Sequence, residues 1–182
     1  MNDKDTAERI ARGDQDCAER FVRETYPAVF RLLRHLTGQR EDAEDLTQQT
    51  FLTARRQISQ FQGKSSLFTW THRIAFNEYL QWKRRKKRTM PLDPAFAMVE
   101  KGYGSCVAGE SLLAALGTLP DKMREAFVLH EIEELSMTEA AEILKVPVGT
   151  VKARVFYARK RLRPLFENGT EVPNHEPQEV CF

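Results

Sequence analysis

The chain has 182 residues, 41% of them hydrophobic and 30% charged, with a net charge of +2. That length suits one ordinary domain or two small ones, and that composition excludes wholesale disorder. No apolar run approaches a bilayer span, and residues 1–12 mix acids and bases without an apolar stretch, so neither membrane insertion nor secretion is expected and the cytoplasm is the expected compartment.

Helical periodicity runs through the first half, and alternating strand patterns are nearly absent. Residues 5–12, 14–25, 27–37, 41–60 and 66–87 read as helices, with breaks at Gly13, Tyr26-Pro27, Gly38 and Gly63. On the helix over 41–60, Ala43, Leu46, Thr50 and Ala54 share the face turned to the core. The opposite side carries Asp45, Gln48, Gln49 and Leu52, and an apolar side chain among amides and a carboxylate there suggests a partner surface. The helix over 66–87 is aromatic nearly all round and ends in the basic run 83–88. Core packing is the default for such aromatics; a stacking platform for unpaired bases is the alternative.

Residues 89–109 hold two prolines and three glycines without a sustained period and read as a flexible linker. A second module follows, with helices expected over 110–116, 120–132 (Pro120 at the first helical position), 137–144 and 149–165. The tail, 167–182, carries four glutamates and no base and reads as disordered. Two basic modules therefore alternate with an acidic connector and an acidic tail, an uneven distribution that the small net charge conceals.

Within the second module, Ser136-Met-Thr-Glu139 is a capping box, so a helix starts there. It stops at Lys145-Val-Pro147, and the next begins at Gly149-Thr150 after a turn of three to four residues, the arrangement of a helix-turn-helix. Lys145 stands where such a turn favours glycine, which predicts a left-handed lysine. In the second helix Val151, Val155, Ala158 and Leu162 make a core stripe. The rest faces outward without an acidic residue, as a helix reading base edges and phosphates requires.

Three scattered cysteines (Cys17, Cys106, Cys181) and four isolated histidines offer neither a disulfide framework nor metal-ligand spacing. No metal, cofactor or catalytic residue is therefore expected. Asp42, Glu44 and Asp45 are densely spaced acids but spread around their helix, which disfavours a nuclease or phosphatase. A stand-alone repressor or activator with the same helix-turn-helix remains the competing non-enzymatic reading.

Five motifs occur together: Asp42-Ala-Glu-Asp-Leu-Thr-Gln-Gln-Thr-Phe-Leu52, Phe61-Gln-Gly-Lys-Ser-Ser66, Thr69-Trp-Thr-His-Arg-Ile-Ala75 with Asn77, Leu119-Pro120, and Pro147-Val-Gly-Thr-Val-Lys-Ala-Arg154. In order and spacing, from residue 14 to 166, they resemble the extracytoplasmic-function sigma factors of the sigma-70 family. The resemblance implies an all-α fold of two small helical domains joined by a flexible linker. These are a region 2 bundle over 1–88 and a winged-helix-like region 4 helix-turn-helix module over 110–166.

It further implies that Asp42, Asp45, Leu46, Gln48, Gln49 and Leu52 dock on the clamp coiled coil of core RNA polymerase, whose flap is a second contact. Lys64, Ser65, Ser66, Arg73, Asn77, Lys83, Arg84 and Arg85 would hold the melted minus-ten element. Thr150, Lys152, Ala153, Arg154, Phe156, Tyr157, Arg159, Lys160 and Arg161 would read the minus-thirty-five duplex. An anti-sigma protein is an implied partner. Three positions depart from the family: Thr71 stands where an apolar residue is usual, Phe76 where a base is common, and Ala153 where serine is common.

Overall fold

In the structure, a computed structural model, residues 2–89 and 108–166 are described. The expected tail, most of the expected linker, Cys106 and Cys181 fall outside them. Residues 89, 108 and 109, expected in the linker, belong to helices.

The first module is built from α1 (Asp3–Ala11), α2 (Gln15–Thr37), α3 (Arg40–Gln57), a 3-10 turn (Ile58–Gln60) and α4 (Leu67–Thr89). Local chemistry sets its ends. The Asp14 carboxylate accepts the Cys17 amide to cap α2, and Gly38 ends it at φ 75°, where a side chain would be strained. The expected break at Tyr26-Pro27 does not occur: α2 runs straight through. Pro27 is exposed, so water can satisfy the carbonyl that it leaves without a donor, while buried Thr25, Ala28 and Val29 anchor the flanking turns.

The second module comprises α5 (Ala108–Gly117), α6 (Asp121–Phe127), a π-helical turn (Val128–Ile132), α7 (Met137–Leu144) and α8 (Val148–Phe166). Pro120 caps α6 instead of opening it. The capping box forms at Ser136 and Glu139, and Lys145 takes the left-handed conformation at φ 54°. Ala141 and α7 then pack on α8 through Val151, Val155, Ala158 and Leu162, all buried.

The aromatic helix α4 is resolved in favour of packing: Trp70, Phe76 and Tyr79 are buried. A small cluster of Ala7, Ala54, Ile58, Phe61, Leu67, Trp70 and Ile74 holds α1 and the 3-10 turn against α4. The main core is contiguous across both modules, from Leu32 and Leu36 through Phe76 and Tyr79 to Leu116 and Leu129. Two bundles that the sequence presents as separate units are thus packed against each other.

Candidate nucleic-acid and partner interfaces

On α3, the buried residues are the expected Ala43, Leu46, Thr50 and Ala54, together with Thr47. The Thr47 and Thr50 hydroxyls donate to the carbonyls four residues back, so they cost the core no unpaired group. Asp45, Gln48 and Leu52 are exposed, Leu52 at 55%. Leu46 does not join them: it is buried and contributes only to the floor of the groove between α3 and α4. Asp42 also turns toward α4, where it accepts the Trp82 indole N–H at 3.1 Å and meets Lys86 Nζ at 3.4 Å.

The segment 62–66 is framed on both sides. Gly63 adopts φ 71°, a left-handed turn beside the Lys4 side chain. Asp3 of α1 accepts the Leu67 amide at 2.7 Å, and the Ser66 hydroxyl accepts the Thr69 amide at 2.9 Å. Both bonds satisfy orphan donors at the start of α4. Lys64 and Ser66 are exposed and Ser65 is half-buried. Behind them Arg73, Asn77 and Arg84 fall on one exposed stripe of α4, at spacings of four and seven residues. Thr71 is buried with its hydroxyl donating to the Leu67 carbonyl, which is how a polar residue fits an apolar position. Arg85 lines the α3–α4 groove, away from that stripe.

Lys83 differs from the sequence expectation. Its ammonium lies 2.8 Å from both Asp121 and Glu125 of the second module, so in this state it serves an intramolecular contact. Burial works to lower its pKa, but the two hydrogen bonds outweigh it and hold the amine charged.

On α8, Lys152, Ala153, Phe156, Tyr157, Lys160 and Arg161 are exposed, while Thr150 and Arg154 are half-buried. Phe156 and Tyr157 are 60% and 52% exposed and pack edge-on at 5.4 Å. Arg159 is exposed but ion-paired to Glu131 at 2.7 Å. Ala153 opens a small gap between long side chains near the start of the helix, where a backbone can approach base edges.

One cluster leaves no signal in local sequence patterns. Glu133, its side chain fully buried, accepts from Arg31 Nε at 2.9 Å and Nη2 at 3.0 Å, and lies 3.3 Å from His72 Nε2. Burial pushes the Glu133 carboxyl up, but the hydrogen bonds from His72 and Arg31 prevail and hold it below the usual carboxylate range. His72, one of the four isolated histidines, is buried in this seam. Only the pairing of two modules, invisible to local periodicity, brings these three residues together.

Among the described residues no cluster of histidine, cysteine or carboxylate could hold a metal ion, and no helix is long and apolar enough to cross a membrane.

Comparison with known proteins gives this geometry a lineage. Residues 21–89 match sigma-70 region 2 and residues 109–162 match sigma-70 region 4. The chain is 38% identical over 170 residues to the ECF RNA polymerase sigma factor SigE of Mycolicibacterium smegmatis, covering 87% of this chain and 66% of that relative. It is 32% identical over 176 residues to SigW of Bacillus subtilis, covering 88% and 94%. Among solved structures it is similar to CnrH in complex with the cytosolic domain of CnrY, with a TM-score of 0.70 and 25% identity over 93% of this chain and 100% of that one. It is likewise similar to the sigma factor RpoE in complex with the anti-sigma factor NepR from Bartonella quintana, with a TM-score of 0.69 and 28% identity over 83% and 97%. With both regions matched in order and a relative aligned over nearly its whole length, the chain belongs to the extracytoplasmic-function sigma factors of the sigma-70 family.

Proposed function

We propose that this chain works in the cytoplasm as the promoter-recognising subunit of RNA polymerase, initiating transcription without catalysing a reaction itself. The observation that carries the reading is the outer face of α8: a helix free of acids from 148 to 166, seated on a buried apolar stripe, with Lys152, Arg154, Lys160 and Arg161 around a small residue. Such a face fits a major groove, where cations grip phosphates and an arginine pairs with guanine.

The other roles follow from the chemistry each surface offers. Asp45, Gln48, Gln49 and Leu52, with Asp42 at the edge, form a polar surface with one exposed leucine, suited to a helical partner such as the polymerase clamp coiled coil. The flap would take region 4. The loop 63–66 and the stripe Arg73, Asn77 and Arg84 suit a separated minus-ten strand, with Lys83 and Arg85 joining it once their present contacts are exchanged. Melting costs on the order of 1.4 kcal/mol per stacking step, so the protein must favour the opened strand over duplex, and a loop that captures an unstacked base supplies that difference. An anti-sigma protein is a fitting inhibitor, since the RpoE and CnrH neighbours are both seen bound to a second protein, in one case an anti-sigma factor.

The deciding experiment adds purified chain to core polymerase and scores run-off transcription on a promoter library; operator occupancy by the chain alone with no promoter-specific transcript would favour a stand-alone regulator. Two substitutions refine it. Asp45→Ala is expected to weaken core binding about fivefold to tenfold, the range of an interface side chain worth about 1 kcal/mol, with the thermal midpoint unchanged. Unchanged affinity in a competition assay removes the docking assignment. Arg154→Ala is expected to lower duplex selectivity by about 1–3 kcal/mol at one base position. A uniform loss across sequences, with a shallower salt dependence, would restrict Arg154 to phosphate.

A further inference from the structure

We infer that Glu78 anchors a socket in the groove between α3 and α4, and that the socket takes an arginine side chain of the protein that docks on α3. The inference rests on the docking role proposed above and deepens it: α4 adds a second wall, and the group that the partner inserts is given a chemistry.

Of the three buried carboxylates among the described residues, Glu125 has Lys83 at 2.8 Å and Glu133 has Arg31 at 2.9 Å. Glu78, 7% exposed, has one hydrogen bond, from the Thr53 hydroxyl at 3.0 Å, and no ion pair. A neutral hydroxyl does not offset the desolvation of a carboxylate, which a cation ordinarily matches. The position of Glu78 lets that cation come from outside. Its side chain lines an open groove of about 580 Å³ together with Asp45, Gln49, Thr53 and Gln81. Asp45 and Gln49 belong to the surface assigned to docking, so the groove is continuous with it. The Gln49 amide donates to the Thr53 hydroxyl at 3.4 Å, and that hydroxyl donates in turn to Glu78, which links the docking face to the buried carboxylate.

The groups around the groove select its occupant. No cluster of ligands there could hold a metal ion. Asp42, at the groove's edge, is already met by Trp82 and Lys86. Arg56 and Arg85 line the groove but are exposed, and neither is ion-paired to Glu78; Arg56 Nε donates instead to the Leu52 carbonyl at 3.2 Å. An incoming guanidinium carries five donors in a planar fork, and the groove spreads acceptors for them over Glu78, Asp45 and the amide oxygens of Gln49 and Gln81. A lysine ammonium, a point charge with three donors, spans less of that set.

The test measures binding of the full chain to core polymerase by competition, over a series of salt concentrations. Glu78→Gln keeps the volume and the acceptor for Thr53 and removes the charge. Core affinity is expected to fall about 30-fold, the lower end for a desolvated charge pair that loses one member, and to become less sensitive to salt. In the free chain the same substitution is expected to leave the thermal midpoint unchanged or higher, because an unmatched buried charge is gone. A purely structural carboxylate would not give that combination. Glu78→Asp, which keeps the charge, is expected to bind core more tightly than Glu78→Gln. Wild-type affinity in Glu78→Gln overturns the socket, as does a lowered midpoint accompanying the loss, which would make Glu78 part of the fold's own packing. An Asp variant that binds no better than the Gln variant overturns the cationic occupant. A wild-type chain that does not bind core removes the docking role and the socket with it, whereas a wild type that binds and a Glu78→Gln chain that binds equally well remove the socket alone, so the two failures are distinguishable.

Discussion

Trp70→Ala is expected to destabilise the first module by about 3–5 kcal/mol, a large share of the roughly 5–15 kcal/mol that holds a small domain folded. Trp70 is buried in the smaller core cluster, edge-on to Phe61 at 5.7 Å, and that cluster is what keeps α1 and the 3-10 turn on α4. The loop 62–66 has no core of its own. Its position depends on Phe61 on one side and on the Asp3 and Ser66 caps of α4 on the other. A cavity at Trp70 therefore loosens the loop before it disturbs the helix-turn-helix, whose core stripe lies in the other module. Binding of a single-stranded minus-ten oligonucleotide is expected to fall while binding of a minus-thirty-five duplex persists. An unchanged thermal midpoint, or equal losses for both ligands, would show that the cluster does not support the loop.

Much of this architecture was legible because local chemistry determines it. The capping box at Ser136 and Glu139, the left-handed Lys145 and the stripe Val151, Val155, Ala158 and Leu162 each follow from a few neighbouring residues, and each forms as expected. Tyr26-Pro27 misled because proline's local penalty is real, yet tertiary burial on either side carries α2 past it. For Leu46 the periodicity of α3 predicts the core face and the family resemblance the partner face; the structure buries it, since residues three and four apart along α3 share one side. Lys83, Thr69, His72 and Glu133 lay beyond sequence reasoning for another reason. Their partners are distant in the chain, and neither charge nor periodicity encodes which surface of one module meets the other. The exposed candidates on α3 and α8 could be named from the sequence because exposure is the complement of a periodic core, whereas a pair buried between modules breaks no period.

Phe76→Arg is expected to unfold the first module, not to improve DNA binding, although a base is common at this position in the family. Phe76 is 2% exposed, packs at 5.7 Å on Tyr79 and belongs to the core that runs through both modules. An arginine there is an unpaired charge without solvent, placing it in the class of substitutions that cost about 4–5 kcal/mol or more. Loss of cooperative unfolding and of helical signal is the expected outcome, measured by thermal circular dichroism. A folded variant with a near-normal midpoint and stronger, salt-sensitive binding to promoter DNA would mean that the side chain faces the nucleic acid after all. The helical geometry argues against that result. Position 76 precedes Asn77 by one residue and so lies roughly 100° around α4 from the stripe of Arg73, Asn77 and Arg84. That stripe is the exposed part of α4 and the one the proposed function offers to an opened strand, while the aromatic at 76 serves the core behind it.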